Sequence, residues 1–338
     1  MVQPPFGNHA IDQNGGAILL SYHRGLLLEK VVFRENTALG DGGDVAADAS
    51  ATIYAEDVTF EGGFQTADQI NGQPMNAVDG GSVALGGGSN LTLKSSKFSG
   101  YRVTANGAAL NLGWKDSRLR VDGSTFARNE STGVGEHDAS ALFLHSMPFA
   151  KITNSVLEEN VAAAATGALK ILLSNATLHH VKFIKNSSKG YGAAIMVDGT
   201  YRDNADIDPQ VTDAAQTEGT IALDDVTFEQ NVTTGVTRAA GMYTCMYRDD
   251  DTLRIENSLF TKNHSGGKSD GAAGGAGLFV DCVSELKTTH VIKATRFKDN
   301  TTQAVDNPDQ AAFWFSGQDD SQFEDVTIES GGKTIKSW

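Results

Sequence analysis

The chain has 338 residues, 37 glycines against 6 prolines, and a formal charge of −15. That charge argues against a surface built for nucleic acid or anionic membranes, because phosphate binding needs clustered Lys and Arg; it favours solubility, cations or basic partners. No apolar run is long enough to cross a bilayer, so no membrane insertion by this segment is expected. The two cysteines make no disulfide framework.

The opening Met1-Val2-Gln3-Pro4-Pro5 lacks the charged and apolar regions of a secretion signal, so either a signal has been removed or the chain is an excised segment. The first legible phrase runs from Gly15-Gly16-Ala17-Ile18, through Leu26 and Leu28, then Val31 and Phe33, to Asn36. Two apolar residues separated by one other form a strand with one buried face. The phrase returns as Leu91, Leu93, Ser96, Phe98; as Leu119, Val121, Ser124, Phe126; as Ile221, Leu223, Val226, Phe228; and as Leu253, Ile255, Ser258, Phe260. Phe60, Leu157, Phe183, Phe297 and Ile328 complete a set of anchors about 33 residues apart. Phe-x-x-Asn itself stands at 33–36, 126–129, 183–186, 228–231, 260–263 and 297–300, with Leu157 to Asn160 as a variant.

The step between the two apolar pairs is odd, so the chain must bend there to keep both inside. Polar residues such as Glu56-Asp57, Asp122-Gly123 and Asp224-Asp225 occupy the bend. After the Asn, a third strand opens with Gly and Ala, as at 107–110, 167–169, 192–195 and 275–278. A fixed period of this size means stacked units. The expected fold is all-β: a right-handed parallel β-helix solenoid of about ten coils, with three short strands per coil and coils about 4.8 Å apart. It forms a single domain over 1–338, open to being a segment of a longer protein, with 198–219 as a long loop leaving the stack.

The pairing of Gly15-Gly16-Ala17-Ile18 with Phe-x-x-Asn resembles the repeats of the chlamydial polymorphic outer-membrane proteins and, more widely, the pectin-lyase-like right-handed β-helix superfamily. The resemblance covers residues from about 13 to 330. It implies a fold that hosts lyases, hydrolases, epimerases, adhesins and passive surface proteins alike. The hydrolase signatures of that superfamily (Asn-Thr-Asp, Gly-His-Gly, Arg-Ile-Lys) are missing. So is Asp-Pro-His-Asp of the alginate epimerases, of which Asp206-Ile207-Asp208-Pro209 is a superficial echo. No catalytic residue is assigned. His179-His180 reads as a solvated pair rather than a base. Asp41-Gly42-Gly43-Asp44 and the run Asp249, Asp250, Asp251 offer oxygen ligands for calcium, with solvated acidic loops the plainer reading; no other cofactor is implied.

Sequons Asn-x-Ser/Thr occur at Asn90, Asn129, Asn175, Asn186, Asn231, Asn263 and Asn300. Five of these are the Asn of the repeat, which can stack on its copies and bond the turn backbone; such an Asn cannot carry a glycan. Asn90 and Asn175 stand just outside a strand and are the better glycosylation candidates.

If the Gly-Ala strand points Leu142 and Leu144, Leu169 and Ile171, Met242 and Thr244, and Leu278 and Val280 inward, then Phe143, Lys170, Met196, Tyr243, Phe279 and Trp314 point outward. Such an apolar stripe is either a partner-binding surface or is covered by a loop. Ala84 and Asn111 replace it in earlier coils. The same alignment sets Cys282 inward and Cys245 outward, opposite Asp281, which leaves two thiols. No capping helix is legible at either end, and Lys333 to Trp338 read as the start of another strand. The resulting expectation is a non-enzymatic structural or adhesive scaffold, extracellular or on a cell surface, in contact with other protein chains by end-to-end or lateral packing and with glycans. A carbohydrate-binding or polysaccharide-active β-helix is the alternative.

Overall fold

The computed structural model describes residues 8–10, 14–22, 24–38, 40–62, 80–132, 139–164, 166–201, 219–235, 239–247, 249–266, 275–282, 288–303, 308–316 and 322–338. The expected excursion at 198–219 therefore lies mostly outside the described residues, as does Asp206-Ile207-Asp208-Pro209.

Among the described residues, successive coils pair strand on equivalent strand, in parallel. Strands such as Gly25–Glu29, Thr52–Glu56, Asn90–Lys94 and Arg118–Asp122 follow one another in a 10-stranded leading sheet. The Phe anchors run down the middle of an 11-stranded sheet, and the Gly-Ala strands form a third sheet of 10. The register is letter on letter: Leu26 opposite Ile53, Ile53 opposite Leu91, Leu91 opposite Leu119. Nearly every coil also carries a fourth, two-residue strand just after the Asn, such as Glu130–Ser131 and Ser187–Ser188, and these make a sheet of seven. The chain is a parallel β-helix.

The bend between the apolar pairs has a clear cause. Position −3 from every anchor sits in the left-handed region: Lys30, Asp57, Ser95, Gly123, Asn154, His180, Asp225, Asn257, Ala294 and Asp325. One left-handed residue between two extended segments turns the chain and shifts the alternation by one, so both apolar pairs stay inside. For a residue with a Cβ this costs on the order of 1 kcal/mol. The corner is held because its N–H still reaches the next coil, as Asp57 N to Lys94 O at 3.1 Å and Ser95 N to Asp122 O at 2.9 Å. The Gly-Ala step is small for a steric reason: a Cβ on Gly43 would lie 2.4 Å from the Gly81 carbonyl oxygen in the next coil.

Inside, matching residues become columns. Phe33, Phe60, Phe98 and Phe126 stack with centroids 5.0, 4.3 and 4.9 Å apart and planes within 12°. Leu157 interrupts the column, which resumes through Phe183, Phe228, Phe260 and Phe297. Each such pair adds about 0.5–1.5 kcal/mol beyond the area it buries. At the far end, Lys333–Ser337 is indeed a strand, but it turns at Gly331-Gly332 and pairs antiparallel with Thr327–Ser330. Trp338 then packs against Phe313 and Phe323. Two lysines on this edge strand discourage further pairing.

Candidate functional site: an asparagine ladder and the outer faces

The Asn of the repeat forms a continuous hydrogen-bonded ladder. The amide Nδ2 of Asn129 donates to Oδ1 of Asn160, Asn160 to Asn186, Asn186 to Asn231, Asn231 to Asn263 and Asn263 to Asn300, all at 2.9–3.1 Å. Each backbone N–H donates to the same Oδ1, as Asn186 N to Asn231 Oδ1 at 3.0 Å. The second amide hydrogen goes to the anchor's carbonyl in the preceding coil, as Asn231 Nδ2 to Phe183 O at 3.0 Å. These side chains are buried. Five of the seven sequons are thus locked inside the fold, four of them with both amide hydrogens used; Asn300, at the end of the ladder, donates to Phe260 O at 2.8 Å. Asn90 and Asn175 are half-buried; Oδ1 of Asn175 accepts from the backbone N–H of Tyr201 and Thr220, at 3.2 and 3.1 Å.

The ladder is interrupted in the early coils. Tyr101 stands where Asn is expected three residues after Phe98, and its phenol reaches into the stack to Asp44. The Asp44 carboxylate also accepts from Asn36 Nδ2 at 2.7 Å and from Ser82 Oγ at 2.8 Å. It has no solvent exposure. Burial pushes its pKa up to about 6, against the opposing effect of these three donors. Burial and the neighbouring carboxylate raise the Tyr101 phenol well above its usual range, so it stays protonated. Asp44 is therefore a polar group built into the core.

The outward stripe has the expected register: Phe143, Lys170, Met196, Tyr243, Phe279 and Trp314 follow one another coil by coil. It does not face solvent. Phe143, Lys170, Met196, Tyr243 and Phe279 are buried and Trp314 half-buried. Met196, Tyr243 and Phe279 form, with Ala239, a second apolar cluster distinct from the interior of the coil. Tyr191 lies against the Tyr243 ring at 4.8 Å, and the Tyr243 hydroxyl donates to Asp281 at 2.8 Å. Lys170 pairs with Asp198 at 4.0 Å. Alternation identifies the face correctly but cannot reveal what covers it. Cys245, opposite Asp281, is a half-buried thiol; the side chain of Cys282 lies outside the described residues.

The remaining candidates are held locally. His179 pairs with Asp224 at 2.9 Å, and His180 with Asp225, each on the protein surface. The buried Asp251 carboxylate accepts from Thr200 Oγ1 at 2.5 Å and from Tyr247 N at 3.3 Å, which ties a bend together; Asp249 and Asp250 are exposed. Among the described residues no three His, Cys, Asp or Glu side chains converge as a metal site.

An open concave surface lies elsewhere, on the outer face of the Gly-Ala sheet in the early coils. There the outward positions are Ala46, Ala84 and Asn111, followed by Phe143, and they floor a groove of about 420 Å³. Small side chains leave a depression, and Phe143 closes one end. Trp114 and His145 form the wall, ring edge to ring face at 5.1 Å, while the His145 ring lies parallel to Phe143 at 6.0 Å. Trp114 is 58% exposed although large and apolar. Its backbone is left-handed at φ 79 and is pinned by Trp114 N to His145 O at 2.7 Å and Ser117 N to Trp114 O at 3.2 Å. Asp41, Asp48 and Asn14 also line the groove. Neither Trp114 nor His145 is singled out by the repeat. The available signal was Trp114 itself, a large ring in the polar turn Gly113-Trp114-Lys115-Asp116.

Comparisons of the chain with protein-family models, with curated proteins and with solved structures find no match.

Proposed function

We propose that the chain is a non-enzymatic adhesive scaffold of the extracellular space or cell surface, and that it holds glycan in the groove walled by Trp114 and His145. The observation that carries this reading is a Trp ring, more than half exposed, on a backbone pinned by one bond to the next coil and one within its turn, beside a groove of ligand size. An apolar ring face suits the C–H face of a sugar, and the lining acids and Asn111 offer partners for hydroxyl groups. The rigid column of stacked coils supplies the scaffold. Leu19, Tyr22, Leu27 and Val32 are exposed on the first coils and offer an apolar contact for another protein chain, which suits a subunit of a surface fibre. The repeat motifs support a relation to the polymorphic outer-membrane-protein and pectin-lyase-like β-helices. No cofactor is part of this reading.

The test is retention of the intact chain on immobilised neutral polysaccharides, with Trp114→Ala beside it. Burying the open half of the indole is worth about 2 kcal/mol, so affinity should fall roughly 30-fold with the circular dichroism spectrum unchanged. Equal retention of both proteins, or none of either, overturns the reading.

A further inference from the structure

We infer that a second surface, on the outer face of the leading sheet, binds an anion-bearing glycan chain through Lys94, Arg120 and Lys151. The proposal does not depend on the Trp114 groove, which lies on another sheet.

Three observations carry it. The first is placement. Arg120 stands opposite Thr92 on one side and Lys151 on the other, and Lys94 opposite Asp122. Lys94, Arg120 and Lys151 therefore stand on three successive coils, each about 4.8 Å from the next. With Thr92, Asp122 and Thr153 they line a shallow cavity of about 260 Å³.

The second is charge. This is a protein of 42 acidic against 27 basic residues, and among the described residues most arginines are paired: Arg34 with Glu61, Arg102 with Glu130, Arg128 with Glu159, Arg254 with Glu256 and Arg296 with Glu329. Arg120 is an exception. Its guanidinium lies over the Phe149 ring, 4.6 Å from the centroid, instead of on a carboxylate. Arg118, two residues earlier on the same strand, has no ion pair among the described residues either. Lys94 is drawn towards Tyr54 and Glu56, yet among the described residues none of the three cations forms a salt bridge; such a cluster on a strongly anionic surface is what an anionic ligand would complete.

The third is the state of the acid among them. Asp122 is already occupied, accepting at Oδ1 from Asn154 Nδ2 at 2.7 Å and Thr153 Oγ1 at 2.8 Å. Those donors hold its carboxyl below the usual range. Lys94 and Lys151 add a smaller pull in the same direction, but among the described residues Asp122 forms no salt bridge with Arg120 or Lys151.

A chain with regularly spaced anionic groups can meet one cation per coil, and the Phe149 and Tyr54 rings flanking the patch offer apolar contact to its backbone. Carboxylate and sulfate share the required chemistry, and two polymers separate them: a polyuronate and a sulfated polysaccharide. The intact chain is titrated with each at low and at physiological salt. Binding of at least one polymer is expected, weakening as salt rises, with the polymer that binds naming the anion. Arg120→Ala and Lys151→Ala should each weaken it about tenfold, and Arg120→Glu more, while Lys262→Ala, at the bend after the strand Leu259–Thr261, leaves it unchanged. These side chains are exposed, so the variants should fold, which circular dichroism checks. Binding of neither polymer at low salt, or binding that is indifferent to Arg120→Glu, overturns the proposal.

Discussion

Replacing Asn186 by alanine should be among the most damaging single changes outside the apolar core. Its side chain takes part in four hydrogen bonds. Nδ2 donates to Leu157 O at 2.9 Å and to Asn231 Oδ1 at 3.1 Å, and Oδ1 accepts from Asn160 N at 3.1 Å and Asn160 Nδ2 at 2.9 Å. All the groups lie where water does not reach, so truncation leaves orphans instead of rehydrated partners. At about 1 kcal/mol for each bond the loss is about 4 kcal/mol, which is a large part of the stability of an ordinary domain. The right control is Asn175→Ala. That Asn also accepts two backbone N–H groups but is half-buried, so water can take its place, and a loss of about 1 kcal/mol is expected. Urea titration of both variants gives the comparison, and amide exchange at Asn160 shows whether the damage is local. A loss below about 1 kcal/mol at Asn186, with unchanged urea dependence, would refute the claim that the ladder is a structural element rather than a by-product of stacking.

Two further outcomes follow from buried polar groups. Asp44 is an acid whose folded pKa is raised from 3.8 to about 6, so its protonated form favours the fold. Its contribution is present below about pH 4 and is lost as pH rises through about 6, a change of about 3 kcal/mol. Asp44→Asn should flatten that part of the stability-against-pH curve, measured by denaturant midpoints from pH 4 to 7.5; an unchanged slope would contradict the assignment. Glycosylation sorts the sequons in a similar way. When folded chain is offered to a glycosylating enzyme, peptide mapping should find sugar at Asn90 or Asn175 and none at Asn129, Asn186, Asn231 or Asn263, and sugar on the last four would mean that the ladder opens.

Much of this architecture is legible from residue order because strands have a side-chain period of two and coils recur about every 33 residues. Leu119, Val121 and Phe126 specify which atoms are inside, and the odd step before Ser124 specifies a corner. The left-handed residue at Asp57 or Asn154 is the physical form of that corner. The two-residue strands after the Asn escape detection, since two residues have no period. The fate of Tyr243 and Phe279 escapes for another reason: alternation says which way a side chain points, whereas burial depends on what lies above it. The Trp114 groove is hidden because its floor consists of missing bulk. Ala84 and Asn111 read as an absence of stripe, and only stacking turns that absence into a cavity. The cationic patch is similar, because Lys94, Arg120 and Lys151 are scattered over 58 positions and meet only when coils lie in register.

That register can be measured directly. Lys97, Thr125, Val156, Lys182, Thr227, Leu259 and Arg296 follow one another in a single column. Spin labels at Lys97 and Thr227 are four coils apart, so their backbones should lie about 19 Å apart; labels at Lys97 and Arg296, six coils apart, should give about 29 Å. Narrow pulsed-EPR distance distributions that lengthen by about 4.8 Å per coil are the predicted result, and broad distributions, or separations that do not follow the number of coils, would contradict the stacked β-helix.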